Sequence, residues 1–297
     1  WLMLWGYYQK MVIGDRLALF VNGVFDQSEV YRQGGLVNLL AMVFFALQLY
    51  CDFGGYSNIA IGAAQVLGFS IPANFRRPYF AKSIHEFWQR WHISLTGWFR
   101  EYLYFPLGGN RQGRLRQYRN ILVVFLVSGL WHGADWTFLI WGFLHAFYQL
   151  IEVGLRPLGK RLGKKLRFNA AGFGWKALRC GLVFALTDFA WIFFRANTVH
   201  DAFGFIRGLA VFNPQIFRDG GLFRYGLDRI NFQIALAGLS VLLIVSWLQR
   251  GGGLRAKVDR LPAAARWAIL LAGIYAVLLF GMYGPNVDTA QFIYTQF

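Results

Sequence analysis

The sequence predicts an all-α polytopic membrane protein. Of its 297 residues 57% are hydrophobic and 19% aromatic, and only 15% are charged. The apolar residues also gather into runs close to the ~20 residues that a helix needs to cross a ~30 Å hydrocarbon core. The net charge of +16 is of the kind nucleic-acid binders carry. Here, however, Lys and Arg cluster in short stretches between apolar segments and no nucleic-acid motif occurs, a pattern that the positive-inside rule explains better. Cys51 and Cys180 stand far apart in apolar surroundings, which offers neither a metal-ligand spacing nor a disulfide framework, and both read as packing residues.

Residues 1–35 open with aromatics and then bring Lys10, Asp15 and Arg16, which reads as an interfacial helix and a polar loop ending at Gly34-Gly35. Leu36–Cys51 is the first spanning candidate, and it can continue through Asp52. Gly54-Gly55, Gly62 and Gly68 follow among small residues, a composition that lets helices approach closely or break inside the membrane. Asp52 would be buried there, paired with an Arg or a hydroxyl to fix helix packing, or lining a substrate tunnel. Pro72, Pro78 and Arg76-Arg77 mark a loop. Ser83-Ile84-His85-Glu86 then fits a capping box that starts a helix. On that helix Trp88, Trp91, His92, Leu95, Trp98, Phe99 and Tyr102 recur at spacings of three and four, predicting one aromatic face on a helix lying in the interface.

A turn at Leu107-Gly108-Gly109-Asn110-Arg111 leads into Arg114, Arg116 and Arg119, and a second basic stretch holds Arg156, Lys160, Arg161, Lys164, Lys165 and Arg167. With both on the cytoplasmic side, the apolar segment between them must enter the membrane and return. Twelve helical residues, Asn120 to Trp131, carry the chain roughly 18 Å inward before His132. Gly133 and Asp135 supply the reversal, and Trp136–Ile151 returns past His145. Backbone at that depth is tolerated only inside protein or beside a water-accessible cavity, so His132 is expected to be deep and enclosed. An ionisable residue in such a place is a functional-site hypothesis by default. Further spans are read at Gly174–Phe194, Phe232–Leu248 and Arg266–Tyr283, with a mixed loop at 195–230 and a third basic loop at 250–265. No internal repeat or soluble domain is apparent, and the whole of 1–297 reads as one membrane-embedded domain.

Several motifs occur in order over about 250 of the 297 residues: Tyr50-Cys51-Asp52-Phe53-Gly54-Gly55-Tyr56-Ser57, Asn74-Phe75 with Pro78-Tyr79, Phe87-Trp88-Gln89-Arg90-Trp91-His92-Ile93-Ser94-Leu95, Tyr102-Leu103-Tyr104 with Leu107-Gly108-Gly109-Asn110-Arg111, Gly129-Leu130-Trp131-His132-Gly133-Ala134, and Phe292-Ile293-Tyr294. Together they resemble the membrane-bound O-acyltransferase family in its alginate O-acetyltransferase branch. The resemblance implies a helical bundle with re-entrant or broken helices around a central tunnel. It also implies that the chain is the C-terminal part of a longer protein whose N-terminal helices are missing. The family's nearly invariant His maps onto His132, and a position that is His, Asn or Asp in different branches maps onto His92. No bound cofactor is implied. The acyl donor would be acetyl-CoA from the cytoplasm, and acetyl would pass to an exopolysaccharide through a periplasmic acetyltransferase partner at the bacterial inner membrane. The Leu107–Arg111 turn favours this branch over the related teichoic-acid D-alanyl transfer proteins. The chain departs from the branch at Gly54, Asn58 and Asp135, where Ser, Asp and Asn are usual, so no mechanism is rested on the carboxylate of Asp135.

An alcohol attacking a thioester must lose its proton, and a His near neutrality contributes about 10²–10⁴-fold to such transfers. His132 is the candidate base and His92 its support, against packing and aromatic-belt roles for the two rings. Asp52, Tyr56, Trp91, Trp131 and His145 are candidates for the substrate tunnel. Arg111, Arg114, Arg116 and Arg119 are candidates for the CoA phosphates, against the simpler reading that they set topology and meet anionic lipid. His85 and His145 otherwise read as capping or packing residues, and His200 as a loop residue. The competing classes are a transporter using His132, Asp52 and His92 as a relay, and a structural subunit of a polysaccharide export complex.

Overall fold

A computed structural model describes residues 1–31, 34–165, 172–218, 220–251 and 254–283. Among these the chain is helical, without strands. In chain order the helices are α1 (Leu2–Tyr7), a π-helical stretch (Tyr8–Gly14), α2 (Asp15–Phe25), α3 (Ser28–Tyr31), α4 (Gly35–Val66), α5 (Ile84–Trp88), α6 (Ile93–Phe99), a second π-helical stretch (Arg100–Tyr104) and α7 (Arg114–His132). There follow α8 (Trp136–Lys165), α9 (Phe173–Arg195), α10 (Val199–Gly208), α11 (Arg229–Leu248), α12 (Leu254–Asp259) and α13 (Ala263–Phe280). Five stretches are long and apolar enough to cross a membrane: α4, Trp136–Pro157 of α8, α9, α11 and α13. The chain is a multi-pass membrane protein. It divides into two compact units, residues 1–73 with 204–297, and residues 74–203.

In the first unit the expectation of an interfacial helix and loop at the N-terminus is corrected. α1, the π-stretch and α2 run on without interruption, and Val12, Ile13, Leu17, Phe20 and Val21 are core residues. The segment can be buried because its charges are answered by protein. Lys10 pairs with Asp52 and, at 2.8 Å, with Asp15. Arg16 donates Nε to Asn231 Oδ1 at 3.0 Å and Nη1 to the carbonyls of Val12 (2.6 Å) and Phe280 (2.9 Å). The Phe280 carbonyl ends α13 and has no partner within that helix, so Arg16 satisfies an orphan acceptor while holding the first turn of α11. Asp52 is thus paired, but with a lysine where an arginine or a hydroxyl was expected.

The glycine-rich half of α4 does not break. The helix is continuous over 32 residues, and its small residues serve close approach: a Cβ on Gly55 would lie 2.7 Å from the Gly6 carbonyl oxygen, and one on Gly62 would lie 2.5 Å from Met3 Cγ. Two loops read from the basic and mixed composition are also largely helical. The second basic stretch is helix as far as Lys165, and 195–230 contains α10. Arg167 and Phe292-Ile293-Tyr294 lie outside the described residues.

In the second unit α7 and α8 form the expected helical hairpin around a three-residue turn. A Cβ on Gly129 would fall 2.5 Å from the Phe138 carbonyl oxygen, and one on Gly142 would fall 2.4 Å from that of Phe125. The pairs 129/138 and 125/142 show that the helices run antiparallel with backbones in contact. α9 packs against α8 and completes the wall around the hairpin.

The buried pair in the first unit gives an asymmetric expectation. Lys10→Met removes the lysine from the Asp52 carboxylate, which is 2% exposed, at a cost of about 3–5 kcal/mol. Replacing both residues by Met and Leu should recover most of that loss. Thermal melting of the purified variants in detergent measures both, and a single variant as stable as the wild type contradicts the assignment.

Candidate active site

His132 is the last residue of α7, with the Gly133 N–H closing back onto the Gly129 carbonyl at 3.3 Å. It is 4% exposed. Three rings stand edge-on around it: Trp131 at 4.8 Å, Trp141 of α8 at 5.0 Å and Phe194 of α9 at 5.1 Å between centroids. The hairpin brings Trp141 there because Gly129 and Gly142 let α8 lie directly on α7. Asp135 accepts a hydrogen bond from the Thr137 N–H at 2.9 Å and so caps the start of α8. Asn, usual in the related branch, caps equally well. The departure at 135 is therefore conservative in structural terms.

His92 meets the same cluster from the other side. Its ring centroid lies 6.1 Å from that of Trp131. The expectation of one continuous aromatic helix is corrected here. α5 ends at Trp88, and His92 takes a left-handed conformation (φ 43°, ψ 55°) before α6 begins. The predicted face is split accordingly, with Trp88 and Trp91 buried while Trp98 and Tyr102 are exposed. Sequence spacing missed the break because it contains no Gly or Pro. Among side chains with a Cβ, His, Asn and Asp are the ones enriched in the left-handed region. These are the three types that the resemblance implies at this position, so backbone conformation restricts the choice independently of chemistry.

The turn is held from Asn74, which the sequence offers as part of a motif but without a role. Its carbonyl accepts from the Ile93 N–H at 3.0 Å, and its Oδ1 accepts from the Ser94 hydroxyl at 2.6 Å and the Ser94 N–H at 3.2 Å. Ser94 Oγ lies 3.5 Å from His92 Nδ1. The capping box forms as expected, with Glu86 N–H donating to Ser83 Oγ at 3.0 Å, although Glu86 Oε2 reaches the Lys82 N–H at 2.7 Å and not that of Ser83.

The remaining candidates are distributed unevenly. Trp131 is in ring contact with both histidines and is 53% exposed. Trp91 is a packing hub, in ring contact with Phe75, Tyr79, Phe87 and Trp191. His145 is wholly buried, beyond Trp141 from His132. Asp52 and Tyr56 belong to the first unit, the former in its ion pairs and the latter exposed. Arg111, Arg114, Arg116 and Arg119 are all exposed at the start of α7. Arg116 is bound to Gln112, and Arg119 to Asn120 Oδ1 at 3.0 Å. Asn120 in turn donates to the carbonyls of Leu107 and Gly109, 3.0 Å each. It thereby anchors the turn in which Gly108 and Gly109 take positive φ (98° and 56°). His85 is exposed beside Gln89, and His200 begins α10 and is not in a loop. Sequence reading passed over Asp188, which is buried in α9, although a lone carboxylate inside an apolar span was the same signal that singled out His132. No group of three or more His, Cys, Asp or Glu side chains that could hold a metal occurs among the described residues.

The fold and the cluster thus define a multi-pass helical membrane protein with two buried imidazoles bracketing one indole. Residues 21–187 match the model of the MBOAT, membrane-bound O-acyltransferase, family, and the chain belongs to that family. It is 39% identical over 197 residues to the probable alginate O-acetylase AlgI of Pseudomonas syringae pv. tomato, an alignment that takes in 66% of this chain and 35% of that protein. It is likewise 39% identical over 210 residues to the peptidoglycan O-acetyltransferase of Helicobacter pylori (70% of this chain, 38% of that protein). Identity to the teichoic acid D-alanyltransferase of Bacillus subtilis is 30% over 148 residues, 48% of this chain and 37% of that one. The match therefore spans little more than a third of the length of these relatives.

Burial pushes the His92 imidazole down to about 4 from its ordinary 6.5. Between those values the unfolded chain binds a proton that the folded protein does not, so stability falls as pH falls through that window, by up to roughly 3 kcal/mol at 1.36 kcal/mol per pH unit. His92→Asn keeps a residue suited to the left-handed turn and removes the titration. Its melting temperature should therefore decline less than that of the wild type between pH 6.5 and 4.5. Parallel declines would show that His92 titrates normally. At neutral pH His92→Ala should be the less stable variant, by about 1 kcal/mol.

Proposed function

We propose that this protein transfers an acetyl group from acetyl-CoA to hydroxyls of a cell-envelope polysaccharide, alginate-like in character. His132 acts as the general base. The observation that carries the reading is the enclosed pair of His132 and His92 about Trp131, in a chain of the acyltransferase family. In the transfer, His132 takes the proton of the attacking alcohol as its oxygen bonds the thioester carbonyl carbon, and the C–S bond then breaks to release the thiolate, which takes up a proton from water. The three rings around His132 fix the orientation of the imidazole. His92, held in place through Asn74 and Ser94, supports the base across Trp131.

The exposed arginines at the start of α7 are placed by this reading toward the phosphates of CoA on the cytoplasmic side of the inner membrane. The acceptor is reached on the opposite side, through a periplasmic acetyltransferase partner. The higher identity and wider cover toward the two O-acetyl-transferring relatives, together with the Leu107–Arg111 turn, favour acetyl over D-alanyl as the cargo. Lipid surrounds the apolar faces of α11 and α13.

The test is acetyl-CoA consumption by the full-length protein in detergent, with and without the partner. His132→Ala should stay folded and monodisperse and lose at least 100-fold in turnover, in line with loss of a general base. His92→Asn should lose less. A wild type that consumes no acetyl-CoA even with the partner present overturns the reading.

A further inference from the structure

A second polar cluster lies behind the histidine pair. On α8, Trp141, His145 and Gln149 fall at intervals of four and share a face. His145 is fully buried, with ring centroids of Trp88, Trp141 and Trp191 at 4.9, 5.1 and 6.0 Å. Neither of its ring nitrogens has a hydrogen-bond partner among the described residues. The same holds for the indole N–H groups of Trp88, Trp141 and Trp191, the Gln149 amide oxygen, and both carboxylate oxygens of Asp188, one turn before Trp191 on α9. An indole can only donate and a carboxylate only accepts, whereas a neutral imidazole does one of each. These donors and acceptors are complementary in kind yet do not reach one another directly. In native interiors such groups are joined by water.

The cluster has two ends. At one, Trp141 touches both His145 and His132, at 5.1 and 5.0 Å. At the other, Gln149 Nε2 lies 3.4 Å from His85 Nδ1, and the exposed His85 ring meets Gln89 at 3.0 Å. Glu152 lies beside this mouth, accepting from the His85 backbone N–H at 3.2 Å.

We propose that His145 and the surrounding indoles form a hydrated proton-transfer chamber that connects the catalytic base to the surface at His85. The proposal rests on the acyl-transfer reading. The alcohol O–H bond breaks with its proton passing to His132. That proton moves through chamber water to one nitrogen of His145 while the other nitrogen releases one toward Gln149 and His85, and so into bulk water. The thiolate set free by C–S cleavage takes up one proton from water on its own side, so none is gained or lost overall. A route of this kind lets alcohol and thiol exchange protons without meeting at one imidazole.

Two measurements on the full-length protein test it. Radiolytic labelling in H₂¹⁸O marks buried side chains that touch bound water, and Trp88, Trp141 and Trp191 should show protection factors at least tenfold lower than Phe20 and Phe45 of the first unit's core. Equal protection overturns the chamber. In acetyl transfer, His145→Ala should lose about tenfold or more in kcat with KM unchanged and recover on addition of imidazole. His145→Phe should melt no lower than the wild type, lose as much, and not recover. Variants as active as the wild type overturn the relay while leaving the acyltransferase reading intact. A wild type inactive on acetyl-CoA removes that reading, and the relay with it.

Discussion

The backbone contact between α7 and α8 at Gly129 and Gly142 is the constraint on which the site depends. α7 reaches about 28 Å from Arg114 to His132 at 1.5 Å per residue, and its basic first half does not suit a lipid environment. Laying α8 along it at the distance of two glycines gives the hairpin a packed seam. The same closeness brings Trp141 against the imidazole of His132, and Phe194 meets it from α9. Any side chain at either glycine would collide with carbonyl oxygen, which cannot move without parting the helices.

Polar chemistry inside the protein is handled differently in the two units. In the first, charge is neutralised on the spot: Lys10 answers two carboxylates and Arg16 takes three acceptors, one of them the open end of α13. In the second, the buried Trp88, Trp141, His145 and Trp191 pack ring against ring, and their ring nitrogens have no hydrogen-bond partner among the described residues. Buried groups that are paired rigidify a fold, whereas groups left to meet water or substrate are available for chemistry.

Much of this was legible in local sequence. The Ser83–Glu86 capping box, the Gly133–Asp135 reversal, the Leu107–Arg111 turn and the spans of α9, α11 and α13 follow from caps, glycines and runs of apolar residues, which act within a few residues of chain. The N-terminal segment was misread because Lys10, Asp15 and Arg16 look like interfacial charges until their partners, 42 residues distant for Asp52 and over 200 for Asn231, are known. The break at His92 was hidden because its cause is the set of hydrogen bonds from Asn74, not a helix-breaking residue. Asp188 was overlooked because the apolar run around it already sufficed to predict a span.

What the sequence by itself determined is the class of protein and the motifs in which His92 and His132 stand. Membrane burial is a property of composition, and the motifs that flag His92 and His132 are short and contiguous. What only the tertiary structure decided is which groups meet. His92 and His132, 40 residues apart in the chain, become neighbours across Trp131. Asp52 becomes the counter-ion of a lysine, and His145 is buried among the rings of Trp88, Trp141 and Trp191. Those outcomes turn on the approach of helices to within a carbonyl's radius and on the pairing of polar groups excluded from water, and neither is encoded in any one stretch of residues.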